Sequence, residues 1–260
     1  MSTQITTELV KELRDATGVS VMQCRKALEE AEGDMEKALI ILKKKSSDIA
    51  AKKADRDASD GIVMVVEGAD KAILITLHCE TDFVAKNEDF ANLAKALGDI
   101  ALSGGLEEMN AKAPEMMALV TQKMGEKIEL GHCEEISGGT IASYVHSGKS
   151  AVVVQLEGGT KELAKDIAMH IAAMKPAYMT REEITEELVN QAKEVFAKEV
   201  ADSDKPQEIK DKMLEGKINT YFKEQTLMDQ VFIKNADFTI KALLEKEKAT
   251  LKKFIRETIG

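Results

Sequence analysis

The sequence predicts an α+β protein. A small three-helix module comes first, then two related hairpin-plus-helix subdomains with antiparallel sheets and an inserted helical hairpin. Three observations carry that reading. In the first 45 residues, apolar positions recur at helical spacing in three short runs. A strand–turn–strand–helix pattern occurs twice, beginning near Gly61 and again near Thr140. After Arg181, two strongly charged helical stretches share a narrow apolar seam.

Composition sets the outer limits. Of 260 residues, 44% are hydrophobic and 32% charged, the balance of a folded globular chain. Aromatic residues are only 4% and Trp is absent, so the core must be Ala, Leu, Ile, Val and Met. Most of the 13 Met belong in that core; the rest suit an adaptable binding face. A net charge of −10 argues against a broad nucleic-acid surface, which needs a basic patch. No apolar run is long enough to cross a bilayer, and Met1-Ser2-Thr3-Gln4 does not open a secretory leader. Three cysteines, at 24, 79 and 133, make no disulfide framework. The expectation is a cytoplasmic protein with neither nucleic acid nor membrane among its partners.

The first helix has Ile5, Leu9, Val10 and Leu13 on one stripe and stops at Thr17-Gly18, where glycine supplies the left-handed turn. Ser20 caps a second helix carrying Val21, Cys24, Ala27, Leu28 and Ala31. After Gly33, Asp34 caps a third with Met35, Ala38, Leu39, Ile41 and Leu42. Residues 1–45 thus form the three-helix module, with a thin core. Residues 46–60, rich in Ala, Lys, Asp and Ser, read as a partly helical linker. Its lysines are either a solvated face or a small basic patch.

The first subdomain, 61–138, opens with strands over Gly61–Glu67 and Ala72–Leu77, then a helix carrying Phe90, Leu93, Ala94, Leu97, Ile100 and Ala101. A helix over Glu115–Lys123 follows, and an edge strand over Glu126–Glu135. The second subdomain, 139–260, repeats the hairpin at Thr140–His146 and Ala151–Leu156, then a helix with Leu163, Ile167, Ile171 and Met174. The hairpin insertion spans 182–226, reversing at Asp202–Pro206. A short strand at Val231–Ile233, a helix over Thr239–Glu247 and a short strand or frayed end over Lys252–Thr258 complete the chain.

Comparing the two repeats isolates one stretch. The second passes from strand to helix through the minimal Glu157-Gly158-Gly159-Thr160, whereas the first inserts Glu80–Asn87. A loop longer than the geometry requires is where function tends to sit. Thr81-Asp82-Phe83-Val84 are therefore the candidate site. Phe83 is either folded back as a core ring or offered to a partner, and Asp82 is either a helix N-cap or a contact of its own.

Catalytic readings fare worse. His78-Cys79 and His132-Cys133 are adjacent pairs, and neighbours on a strand face opposite ways, so neither is a natural chelate. Structural zinc spacings are missing. His170 lies within an apolar helix, where a hydrogen-bonded core histidine is the simpler reading than a ligand. No Gly-rich phosphate loop is present, so direct nucleotide binding is not expected. No enzyme activity, cofactor or metal is predicted.

Three stretches resemble bacterial elongation factor Ts. They are Leu9-Val10-Lys11-Glu12-Leu13-Arg14 with Thr17-Gly18 and Cys24-Arg25-Lys26-Ala27-Leu28; Glu80-Thr81-Asp82-Phe83-Val84-Ala85-Lys86; and Ile167-Ala168-Met169-His170-Ile171-Ala172-Ala173 with Lys175-Pro176. The resemblance runs over almost the whole chain. It implies that the N-terminal module is similar to ubiquitin-associated domains and that the inserted hairpin is a coiled coil. It further implies exchange of guanine nucleotide on elongation factor Tu, with Asp82 and Phe83 wedging into that partner's GTPase domain and loosening Mg²⁺ and GDP. Other contacts would fall on Met124, Gly125 and His146 in the core, and on Lys11, Val21, Met22 and Arg25 in the module. Val21 stands where the family often has Met. Members commonly continue past the final strand into a C-terminal helix that touches the partner; here the sequence runs to Phe254–Gly260, a departure from that pattern. The alternative is a protein-binding scaffold, using the module and the hairpin, without exchange activity.

Overall fold

The computed structural model describes residues 5–201 and 205–260. Positions 202–204 of the expected reversal lie outside the described residues. The N-terminal helices are α1 (Thr7–Thr17), α2 (Val21–Glu30) and α3 (Met35–Lys52). Gly18 ends α1 in the left-handed region at φ 67°, Ser20 accepts the Gln23 N–H and Asp34 accepts that of Lys37. These are the caps the sequence announces, and each satisfies a backbone N–H or turn that the helix alone leaves open. Leu13, Cys24, Ala27, Leu28, Ala38 and Leu42 close the small core. α3 continues through Lys52, so 46–52, the first part of the stretch read as a partly helical linker, extend the third helix.

A three-stranded sheet follows in the order β1 (Asp60–Glu67), β2 (Lys71–Cys79), β3 (Ile128–Ser137), both pairings antiparallel. β2 is central and buried almost without interruption, as its apolar run requires. Between β2 and β3 lie a one-turn helix, α4 (Asp82–Ala85), and the long α5 (Glu88–Met124). α5 is broken at Gly105, whose φ of 86° and ψ of 169° leave helical space. Gly105 thus divides the two helices expected from the sequence, and the second begins well before Glu115, with Met109 and Ala113 as core residues. At Gly98 a Cβ would approach Val66 Cγ2 to 2.5 Å, so the missing side chain sets how closely α5 rests on β1.

The second sheet has the order β4 (Thr140–His146), β5 (Ser150–Glu157), β6 (Thr250–Thr258), so the chain end is a full strand. α6 (Lys161–Met174) is capped by Thr160, whose hydroxyl accepts the Leu163 N–H at 3.1 Å. Helices α7 (Glu186–Ala201) and α8 (Gln207–Gln225) form the inserted hairpin. Val200, Ile218 and Phe222 are buried there, and Phe196 meets Tyr221 edge-on at 5.5 Å. The hairpin base is closed where Ala177 and Tyr178 donate to Gln225 O and Leu227 donates to Tyr178 O. α9 (Ile240–Lys246) completes the helices.

The expected strand at Val231–Ile233 is replaced by a single bridge between Val231 and Thr239. Phe232 alone turns inward, joining Leu227, Ile240 and Leu244 in the second core, while Val231 and Ile233 stay exposed. Three residues facing a turn have too little partner backbone to build a ladder.

Two compact units result: the chain up to Ser137 with Val145–Ala151 and Glu257–Gly260, and Gly138–Tyr144 with Val152–Arg256.

Candidate functional site

The stretch read as an inserted loop is ordered by two helix starts in quick succession. The second repeat crosses from β5 to α6 in three residues, 158–160; the first takes eight, 80–87, between β2 and α5. Thr81 stands in the role of Thr160, its hydroxyl accepting the Val84 N–H at 3.5 Å and starting α4. After one turn Asn87 caps again, accepting the Asp89 N–H at 2.9 Å and starting α5. Asp82 is therefore not the cap; it occupies the first helical position, and its carboxylate pairs with Lys86 at 2.7 Å across the turn.

One turn of helix divides its side chains cleanly. Val84 and Ala85 point down and join the core of β2 and α5 with Phe90 and Leu93. Phe83 points away and is 83% exposed, the most exposed large hydrophobic residue described. The core reading of that ring is removed. Leaving an aromatic ring in water forfeits about 2 kcal/mol of burial free energy, and nothing in the fold requires it.

The rest of this end of the sheet is arranged around α4. The register pairs Asp60 with Cys79 and Cys79 with Ile128, so the start of β1, the end of β2 and the start of β3 lie together. Met124, half-buried, and Gly125, exposed, close α5 just before β3. Gly125 is left-handed at φ 76°, and its carbonyl accepts from Lys53 Nζ at 2.6 Å. The Thr81 N–H and hydroxyl both reach Glu126, at 3.0 and 2.6 Å. His146 is exposed at the β4–β5 turn, where Ser147 and Gly148 both take positive φ, the signature of a two-residue type I′ hairpin. That turn belongs to the first unit: Val63 N–H donates to Gly148 O at 2.7 Å and Lys149 pairs with Asp60. The Lys149 hydrogen bond and then the Gly61 N–H hold the Asp60 carboxyl below the usual carboxylate range.

The structure thus brings Thr81–Val84, Met124, Gly125 and His146 to one unit. Lys11, Val21 and Arg25 meet separately, lining a groove of about 280 Å³ between α1 and α2 with Ile5, Val10 and Arg14. Met22 stands beside it, 69% exposed. Glu126 and Lys149 are the residues sequence reasoning passed over. A carboxylate directly after a helix-ending glycine was the available signal for the first; pairing across 89 positions left none for the second.

Thiol chemistry finds no support at this end. Burial, then the charges of Asp60 and Glu126, push the Cys79 thiol up to about 11, and burial pushes Cys133 to about 11. Both are protonated at neutral pH and poor nucleophiles. His132 is engaged by Glu257 and Glu134 at 2.5 and 3.3 Å. His170 is buried in the second unit: Ile233 N–H donates to its Nδ1 at 3.4 Å, which places the proton on Nε2, and Nε2 donates to Gln230 Oε1 at 2.9 Å. It is a hydrogen-bonded core histidine.

An outward aromatic ring on a braced turn, with a second apolar and basic groove elsewhere, is a surface of the kind that suits binding another macromolecule. The comparisons narrow the class. The family profile described as "Elongation factor TS" matches residues 80–260. The elongation factor Ts of Thioalkalivibrio sulfidiphilus is 40% identical, over 98% of this chain and 92% of its own length. Those of Legionella pneumophila strain Lens, 38% identical over 100% and 93%, and Hahella chejuensis, 40% over 98% and 92%, agree. The chain belongs to the elongation factor Ts family, and its role is that of a translation elongation factor.

Proposed function

We propose that this chain binds elongation factor Tu and accelerates release of its GDP, and that α4 delivers the disturbance. The observation that carries this is Phe83: 83% exposed, on a turn whose other face is locked into the core. A ring so placed gains by entering a partner, and the partner's nucleotide site is where the gain becomes function. Val84 serves as the anchor beneath it. Asp82 accompanies the ring, while Met124, Gly125 and His146 enlarge the contact around it. The groove of Lys11, Val21 and Arg25, with Met22, gives the module a second hold on the same partner.

Exchange needs no acid or base from this chain. It requires only that nucleotide-free partner be bound more tightly than GDP-bound partner, for then GDP is weakened by the same factor in the complex. A coupling of ~3 kcal/mol amounts to about 150-fold, and one buried aromatic anchor supplies about 2 to 4 kcal/mol at an interface. The test is release of a fluorescent GDP from elongation factor Tu with this chain in excess. Faster release supports the reading; an unchanged rate overturns it.

A further inference from the structure

A helix of four residues does not hold itself. α4 closes two α-helical hydrogen bonds, Ala85 N–H to Thr81 O and Lys86 N–H to Asp82 O, both 3.1 Å, and one tighter-turn bond, Asn87 N–H to Val84 O at 2.9 Å, far short of what an isolated helix needs. Its cap bond to Val84 is long at 3.5 Å. Yet the ring it carries must be presented in one orientation if it is to enter a packed partner. What fixes it lies 45 residues away.

Two carboxylates cross-link the segments 80–81 and 126–127 in opposite directions. Glu126 takes both donors of Thr81, the N–H on Oε2 and the hydroxyl on Oε1. Glu80 takes the Lys127 N–H on Oε1 at 2.6 Å and is braced by Arg56 Nη1 at 3.2 Å. Bidentate, charge-assisted bonds of this kind set geometry as well as strength. The hydroxyl that Glu126 orients is the one that caps α4, so the carboxylate determines where the helix starts and thus where Phe83 points. Glu126 also follows Met124-Gly125, so the same bonds tie those residues to the ring.

We infer that Glu126 is the positioning residue for Phe83, acting through the Thr81 cap. This rests on the exchange reading for its consequence, though not for its geometry. Glu126→Ala removes both bonds. Glu126→Gln keeps an acceptor for the Thr81 N–H and offers an N–H to the hydroxyl oxygen. In titrations of fluorescent GDP release from elongation factor Tu, Glu126→Ala lowers the maximal rate about tenfold and leaves the half-saturating concentration nearly unchanged; Glu126→Gln recovers most of the loss. Because the effect runs through one ring, Phe83→Ala with Glu126→Ala loses no more than Phe83→Ala alone. Where the parent accelerates release and Phe83→Ala slows it, independent losses that add, or a Glu126→Ala rate equal to the parent's, overturn the assignment. A second readout needs no exchange: the backbone amide order of Asp82–Val84, from relaxation of the ¹⁵N-labelled full chain, falls in Glu126→Ala and returns in Glu126→Gln. Order unchanged in Glu126→Ala refutes the positioning role. If order falls while neither the parent nor Phe83→Ala differs in exchange, the exchange reading fails and the positioning of the ring stands.

Discussion

Phe83→Ala separates function from stability more sharply than any other single change. Truncation removes the ring and leaves backbone and Cβ. Of the roughly 200 Å² that a phenylalanine carries, about 100 Å² of apolar surface disappears from the exposed side. At ~25 cal/mol per Å² that is about 2.5 kcal/mol of burial on the partner. One decade of rate per ~1.4 kcal/mol makes the expected loss in maximal GDP release rate about 100-fold. Stability should hardly move, because the ring is 83% exposed and supports nothing beneath it; exposed substitutions stay within about 0.5 kcal/mol. Phe90→Ala is the internal contrast. Seven positions on, that ring is wholly buried in the first core, and its loss costs about 3 to 5 kcal/mol of folding free energy. Stopped-flow release of fluorescent GDP from elongation factor Tu, beside thermal unfolding of each variant, reads both quantities. A Phe83→Ala rate within about threefold of the parent would refute the wedge, since so small a change is less than 1 kcal/mol.

Three further outcomes follow from the same geometry. Asp82→Asn breaks the exposed pair with Lys86, which costs little in solution, so the melting temperature stays put; a slower exchange rate then assigns the carboxylate to the partner, and an unchanged rate assigns it to neither. Met22→Asp, at a site 69% exposed, weakens the complex without altering the maximal exchange rate; equal affinity would remove α2 from the interface. His170 gives a pH signature. Burial, against a smaller opposing effect of the Gln230 hydrogen bond, lowers its folded-state pKa below 6.5, so the unfolded chain takes the proton first. Its stabilisation is complete above pH 6.5 and lost as pH falls toward the folded value. His170→Gln therefore flattens the melting profile below pH 6.5, and a profile that keeps its slope there contradicts this.

Much of the fold was legible because its signals are local. Ser20, Asp34 and Thr160 cap helices through their own side chains, and Gly18 turns the chain through its own backbone. The central strand β2 advertises itself by an apolar run that only a doubly covered strand tolerates. The candidate site was half legible. Comparing 80–87 with 158–160 exposes an excess of chain, yet it does not say that the excess forms a capped turn. The cap alternative was placed on Asp82, whereas Thr81 and Asn87, six residues apart, each start a helix. Glu126 escaped altogether, since its role depends on β3 returning beside β2, a pairing set by tertiary packing. Val231–Ile233 failed for the opposite reason: local β-propensity was right, but among the described residues its pairing is the single bridge from Val231 to Thr239.

The central claim is a coupling between two ligands of one partner, and it is most directly tested by binding. The affinity of this chain for elongation factor Tu is measured by titration calorimetry, with the nucleotide site empty and with GDP saturating. Tighter binding to the empty form, by the same factor that the chain weakens GDP, is the predicted result. Equal affinity for the two forms would contradict it, however strong the complex.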